Sequence, residues 1–187
     1  MENIFAKKQG HTVFSWEGLG NIKEGRGDLT EDMPVWIYRL MQFTLFDIIV
    51  REVGLEKANE IMRDAGHLAG QEFVRNAIDL NTDFSTFVAN LQQALQQHRV
   101  GILRMEAFDP ETGAITLTVG QDLDCSGLPV SGETVCTYDE GFLAGILEVY
   151  TGKPYNIREV DCWASGDRVC RFKGSQEPLP AVIELEK

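Results

Sequence analysis

Tyr155-Asn-Ile-Arg-Glu159-Val-Asp-Cys162-Trp-Ala-Ser-Gly166-Asp-Arg-Val-Cys170-Arg-Phe-Lys173 is the stretch that decides how the second half of this chain folds. Ser165, Gly166 and Asp167 are turn formers set between two runs rich in β-branched and aromatic residues, so the pattern predicts a hairpin with arms 155–164 and 168–173. If the loop is three residues long, position 164 pairs with 168 and Cys162 falls directly opposite Cys170. Opposed residues hold their Cβ atoms about 4.5–5.5 Å apart, a separation that suits two thiolates each about 2.3 Å from one zinc ion.

A third sulfur stands outside the hairpin. Cys136 precedes a helix read over 138–151, with Phe142, Leu143, Ile146, Leu147 and Val149 as its apolar residues and Gly152 as its stop. A helix N-terminus favours a thiolate through its oriented N–H groups. The fourth ligand stays open on spacing: Glu159, three residues before Cys162, points to the other strand face unless a bulge intervenes, and Asp161 and Asp167 are rivals. Without a metal, the three cysteines read as small buried residues.

Working outward, the chain divides into a helical first half and a strand-rich second half. Residues 1–30 read as a short strand or hairpin and a loop, apolar only at Val13, Phe14 and Trp16. From Pro34 to Gly54 runs a helix apolar on nearly every side, which must be buried in the domain centre or against a second copy. Residues 55–79 have the three-to-four spacing of an amphipathic helix, with Gly66 and Gly70 on one side marking close approach by a helix or a ligand. A third helix follows from Asp83 as N-cap to about His98. Residues 100–108 and 114–119 form a hairpin about Asp109-Pro-Glu-Thr-Gly113, and residues 120–135 are irregular around Pro129. The sum is an α+β domain, its helical half packed on a small antiparallel sheet that the second hairpin closes.

Composition limits the function classes. Seventeen Lys plus Arg against 29 Asp plus Glu give a formal net charge of -12, which repels phosphate backbones and argues against direct nucleic-acid binding. The longest apolar run, 43–50, is interrupted by Thr44 and Asp47 and is far shorter than a membrane span. With no export signal and only four cysteines, the expectation is a cytoplasmic protein with reduced thiols.

The stretch Cys136-Thr-Tyr-Asp-Glu-Gly-Phe-Leu-Ala-Gly145, then Thr151-Gly-Lys-Pro154, then Arg158 to Phe172 with its two cysteines, resembles the signature of the 4-vinyl reductase domain family. Upstream likeness at Met33-Pro-Val-Trp-Ile-Tyr-Arg-Leu40, at Gly54-Leu-Glu-Lys-Ala58 and at Ala65-Gly-His-Leu-Ala-Gly70 extends the resemblance over residues 28–175. Members include proteins linked to bacteriochlorophyll synthesis and the sensory domains of phenol- and xylene-responsive activators. The fold implied is the NO-signalling and Golgi-transport ligand-binding fold, a dimeric α+β domain with a buried apolar pocket like that of transport-particle tethering subunits. On that resemblance, residues 1–30 are an extension, 31–175 the small-molecule-binding domain and 176–187 a tail. The ligand pattern of the phenol-sensing relatives maps onto Cys136, Glu159, Cys162 and Cys170, which selects Glu159 over Asp161. Four protein ligands leave no position for water, so the zinc is structural. Cys125 has no partner in this scheme and reads as an ordinary small residue.

Phe108, Phe142, Tyr155, Ile157 and Trp163 are the candidates to line an apolar pocket, although any one of them at helical or strand spacing reads equally as core. No nucleophile with an adjacent base is evident, and Gly18-Leu-Gly20 lacks the strand and third glycine of a dinucleotide fingerprint, which weakens a reductase reading. His11, His67 and His98 are widely separated and read as solvated or satisfied. The favoured expectation is a regulatory or sensory module binding an apolar or aromatic molecule, acting in trans because 187 residues leave no room for an ATPase or DNA-binding domain. The alternatives are a 4-vinyl reductase, or its accessory protein, in tetrapyrrole synthesis, and an assembly subunit of the tethering type.

Overall fold

The computed structural model describes residues 14–29 and 32–176. It divides into two compact units, residues 1–33 and 34–187. In the first, a 3-10 turn at Trp16–Leu19 leads to a one-turn helix, α1 (Ile22–Gly25), whose first turn is capped by Asn21 accepting the Glu24 N–H at 3.1 Å. The strand or hairpin expected here is therefore corrected to helical turns over 14–29, because the Asn21 side chain satisfies a helix-start donor. Val13 and His11 lie outside the described residues.

The second unit holds the helices α2 (Val35–Val53), α3 (Leu55–Ala77), α4 (Phe84–Gln97) and α5 (Thr137–Thr151), and the strands β1 (Ile102–Phe108), β2 (Ile115–Gly120), β3 (Asn156–Asp161) and β4 (Cys170–Ser175). The sheet is antiparallel throughout, in the order β1-β2-β4-β3. This is the expected α+β arrangement. Gly54, at φ 83°, breaks the chain between α2 and α3, and Asp83 caps α4 by accepting the Thr86 N–H at 3.1 Å. Among the described residues no helix is long and apolar enough to cross a membrane.

The helix glycines explain how α3 and α5 meet. A Cβ on Gly66 would stand 2.0 Å from the Tyr138 carbonyl oxygen and one on Gly70 2.1 Å from that of Phe142. From the opposite side, a Cβ on Gly141 would meet the Arg63 carbonyl oxygen at 1.9 Å and one on Gly145 that of His67 at 2.2 Å. Four glycines thus clear the seam at which the two backbones touch, and the approach marked by Gly66 and Gly70 is by a helix. Polar pairs flank the seam: Arg63 Nη2 lies 2.7 Å from the buried Glu140, and His67 Nε2 lies 2.9 Å from Glu148.

The core joins α4 and α5 to the sheet. Phe87, Ile146, Ile157 and Phe172 are fully or almost fully buried in it, and the Phe87 and Tyr150 rings stack with centroids 3.8 Å apart. In contrast, α2 contains no buried residue, and Trp36, Leu40, Met41, Leu45 and Ile48 are all at least half exposed. Its all-round apolar surface is not covered within one chain.

Candidate metal centre

The closing hairpin carries the register its sequence implies at the turn end. Asp161 pairs with Arg171, which places Cys162 opposite Cys170. A bulge between Glu159 and Asp161 shifts that register. With one extra residue inserted, Ile157, Glu159 and Cys162 all turn to the buried side, which strict alternation would forbid. The connection is longer than the three-residue loop expected. β3 ends at Asp161 and a 3-10 turn occupies Trp163–Ser165, because the Ser165 hydroxyl takes the Cys162 N–H at 3.0 Å and donates to the Cys162 carbonyl at 2.9 Å, replacing ladder bonds.

Cys136 stands at the N-cap of α5. Its Sγ lies 3.8 Å from that of Cys162 and 3.7 Å from that of Cys170. For a tetrahedral ion with bonds of about 2.3 Å, the sulfur-to-sulfur edge is about 3.8 Å, so the spacing suits such an ion. A fourth sulfur completes the group. Cys125 Sγ sits 3.0 Å from Cys170 Sγ, and the four buried sulfurs lie within 4.8 Å of one another. This corrects the reading of Cys125 as a residue with no partner. Four buried cysteines this close can hold a metal ion.

Glu159 lies beside the group. Its Oε2 accepts the Cys136 N–H at 3.0 Å, while its buried Oε1 has no hydrogen-bond partner. Burial pushes its carboxyl up to about 8, against the pull of the Cys136 N–H. The neighbouring thiols donate toward Cys162 and lower its pKa, making it the sulfur most favoured as thiolate. Asp122, Asp124 and Asp139 form a buried acidic flank, and burial together with their mutual repulsion raises Asp122 to about 6.

The structure gathers Cys136, Cys162, Cys170 and Glu159 in one place, but it does not bring the five pocket candidates around one cavity. Phe108 lines a groove with Phe84 and Val88, whereas Trp163 lines another with Arg39 and Leu123 and donates its indole N–H to the Leu128 carbonyl at 3.1 Å. Tyr155 and Ile157 are buried in the core, and Phe142 packs on Phe73 at 5.5 Å between centroids. A separate apolar cavity of about 190 Å³ lies between α2, α3 and the start of α5. Phe43, Phe46, Met62, Leu128, Val135 and Tyr138 line it, with Gln42 and Thr137 as polar groups. None of these was singled out from sequence as a pocket residue, because the cavity exists only where α2 crosses elements distant along the chain.

Residues 115–176, from β2 to the end of β4 and including all four cysteines, match the 4-vinyl reductase domain. The chain belongs to the 4-vinyl reductase domain family. The uncharacterized protein MJ1642 of Methanocaldococcus jannaschii is 27% identical over 146 residues, which cover 78% of this chain and 80% of that protein. The phenol-responsive sensory domain of the transcription activator PoxR, solved with phenol, superposes with a TM-score of 0.60 at 17% identity over 71% of each chain. A trafficking protein particle complex subunit 3 from Naegleria fowleri, covalently bound to palmitic acid, gives a TM-score of 0.59 at 9% identity over 75% of this chain and 93% of the other. At such identities the likenesses to solved structures establish the fold of this family member and no more.

Proposed function

We propose that this member of the 4-vinyl reductase domain family is a zinc-stabilised regulatory or sensory module that binds a small apolar or aromatic molecule. The apolar cavity carries the reading. It is walled by aromatic and aliphatic side chains, with two polar groups, Gln42 and Thr137, available to orient a ligand, which is the usual make-up of a small-molecule site. The phenol bound by the PoxR sensory domain, on a similar fold, supports it. Cys136, Cys162 and Cys170 supply three zinc ligands at tetrahedral spacing, tying the closing hairpin to the first turn of α5. The zinc adds folding energy, since the site cannot exist in the unfolded chain. The exposed apolar side of α2 supports a homodimer formed through that helix.

Native mass spectrometry of the purified chain tests metal and oligomer together, and is expected to give one zinc per chain and a dimer. A thermal-shift screen over phenols, other aromatics, fatty acids and tetrapyrroles tests the ligand. The reading fails if no compound raises the melting temperature. In that case the exposed α2 favours an assembly subunit.

A further inference from the structure

We infer that Cys125 is a metal ligand, making an all-sulfur centre with Glu159 outside it, and that the metal thereby fixes the 121–128 loop and the α2 helix clamped to that loop. The inference rests on the metal reading above and departs from the Cys136, Glu159, Cys162, Cys170 set that the sequence pattern implies.

The placement of Cys125 follows from the sheet. Val119 of β2 pairs with Cys170 of β4, so the chain leaving β2 passes over the start of β4, where the hairpin sulfurs lie. Gln121 turns it there with a φ of 52°, a conformation uncommon for a residue with a side chain. The Asp122 carboxylate then accepts the N–H groups of Asp124 at 2.8 Å and Cys125 at 3.1 Å, fixing the tight turn that carries Cys125. Cys125 is fully buried, with its sulfur 3.0 Å from that of Cys170. Opening that contact by about 0.8 Å reaches the edge of a tetrahedral zinc thiolate site.

Glu159 is placed differently. One of its oxygens already accepts the N–H of a ligand residue, Cys136, and its own N–H donates to Glu140 Oε1 at 2.9 Å. The ligand atoms that lie within 4.8 Å of one another are the four sulfurs, and the Glu159 oxygens are not in that group. A carboxylate that holds the backbone of a ligand residue in this way orients the ligand from the outer shell.

The loop bearing Cys125 is also where α2 attaches. Arg39 donates to the Leu123 carbonyl at 2.8 Å, the Ser126 carbonyl at 3.0 Å and the Asp122 carbonyl at 3.4 Å. Tyr38 and Gln42 donate to the two Asp124 carboxylate oxygens at 2.8 and 2.7 Å. With no buried residue of its own, α2 is held through these bonds and through its packing on α3. A metal that grips Cys125 therefore reaches α2 through one short loop.

X-ray absorption at the zinc edge of the purified full chain counts the sulfurs directly. Four sulfurs are expected, falling to three plus one lighter atom in Cys125→Ser and staying at four in Glu159→Gln. Amide exchange across 35–53 is expected to speed up in Cys125→Ser but not in Glu159→Gln. Three sulfurs and one oxygen in the native protein, an oxygen that Glu159→Gln alters and Cys125→Ser does not, overturns the inference while leaving the metal reading intact. A folded protein that holds no metal overturns both. Should Cys125→Ser fail to fold, the native sulfur count still decides, and the thiolate-to-metal charge-transfer intensity of the cobalt-substituted native chain provides a second count.

Discussion

Two helices of this molecule, α2 and α5, are apolar on nearly every side, yet their fates differ. α5 buries Glu140, Gly141, Leu143, Ala144, Gly145, Ile146 and Leu147 between α3 and the sheet, whereas α2 buries nothing. The difference lies in the small residues. Gly141, Ala144 and Gly145 let a neighbouring backbone come close to α5, while α2, from Val35 to Val53, has no glycine or alanine and presents bulky side chains all round. An apolar circumference says that a helix needs cover; small residues say which helix its own chain can cover.

The largest effect should come from filling the glycine seam. Gly141→Ala puts a methyl group 1.9 Å from a main-chain oxygen that belongs to α3 and cannot rotate away. The loss in urea unfolding is expected at or beyond the upper end of ordinary overpacking, about 3 kcal/mol. Leu45→Ala on the exposed side of α2 should stay within about 0.5 kcal/mol for the separated chain. Comparable losses at the two sites would mean that α3 and α5 can slide apart, and the contrast between the helices would disappear.

Ligand binding comes next in size. A molecule in the apolar cavity touches α2 through Gln42, Phe43 and Phe46, so it adds cover to the helix the chain leaves bare. At one hundred times its dissociation constant it should stabilise the fold by about 2.7 kcal/mol. Phe46→Trp, which fills the cavity, should remove that gain in a thermal-shift assay. If the gain persists in this variant, the ligand sits elsewhere.

What could be read beforehand divides along the same line. The helices after Pro34, the two hairpins and the facing of Cys162 and Cys170 follow from local period and turn residues, and the structure carries them nearly to the residue. The bulge that turns Glu159 inward could be stated only as a requirement, since nothing in Glu-Val-Asp marks which residue is extra. Cys125 escaped for a different reason. Its position depends on β2 pairing with β4, a contact between residues as far apart as Val119 and Cys170, and an irregular stretch has no period to report it. The pocket escaped likewise, because large residues at helical or strand spacing carry the same pattern whether they line a cavity or fill a core.

A smaller effect tests the clamp between α2 and the loop. Tyr38→Phe removes one hydrogen bond to Asp124 while Gln42 keeps another, so a loss of about 1 kcal/mol is expected. The change should appear as faster amide exchange in α2 with the α3 and α5 amides unaffected. Exchange that quickens evenly over the domain would show that α2 is not separately attached.

The smallest effect on the fold of one chain should be the most informative about α2. Leu40 is 57% exposed on the side of the helix that meets nothing in its own chain. In a monomer, Leu40→Glu only exchanges an exposed apolar group for a solvated charge, and surface substitutions of that kind change stability by no more than about 0.5 kcal/mol. In the proposed dimer, the same carboxylate would be driven into an apolar contact with its own copy, where two like charges lose their water without gaining partners. Sedimentation should therefore move from dimer to monomer while the circular dichroism of the chain stays native. A native chain that sediments as a monomer at micromolar concentration would remove the dimer and leave the cover of α2 to some other protein. A variant that unfolds as it dissociates would mean something else again, that α2 is core after all, in a core completed only when two chains meet.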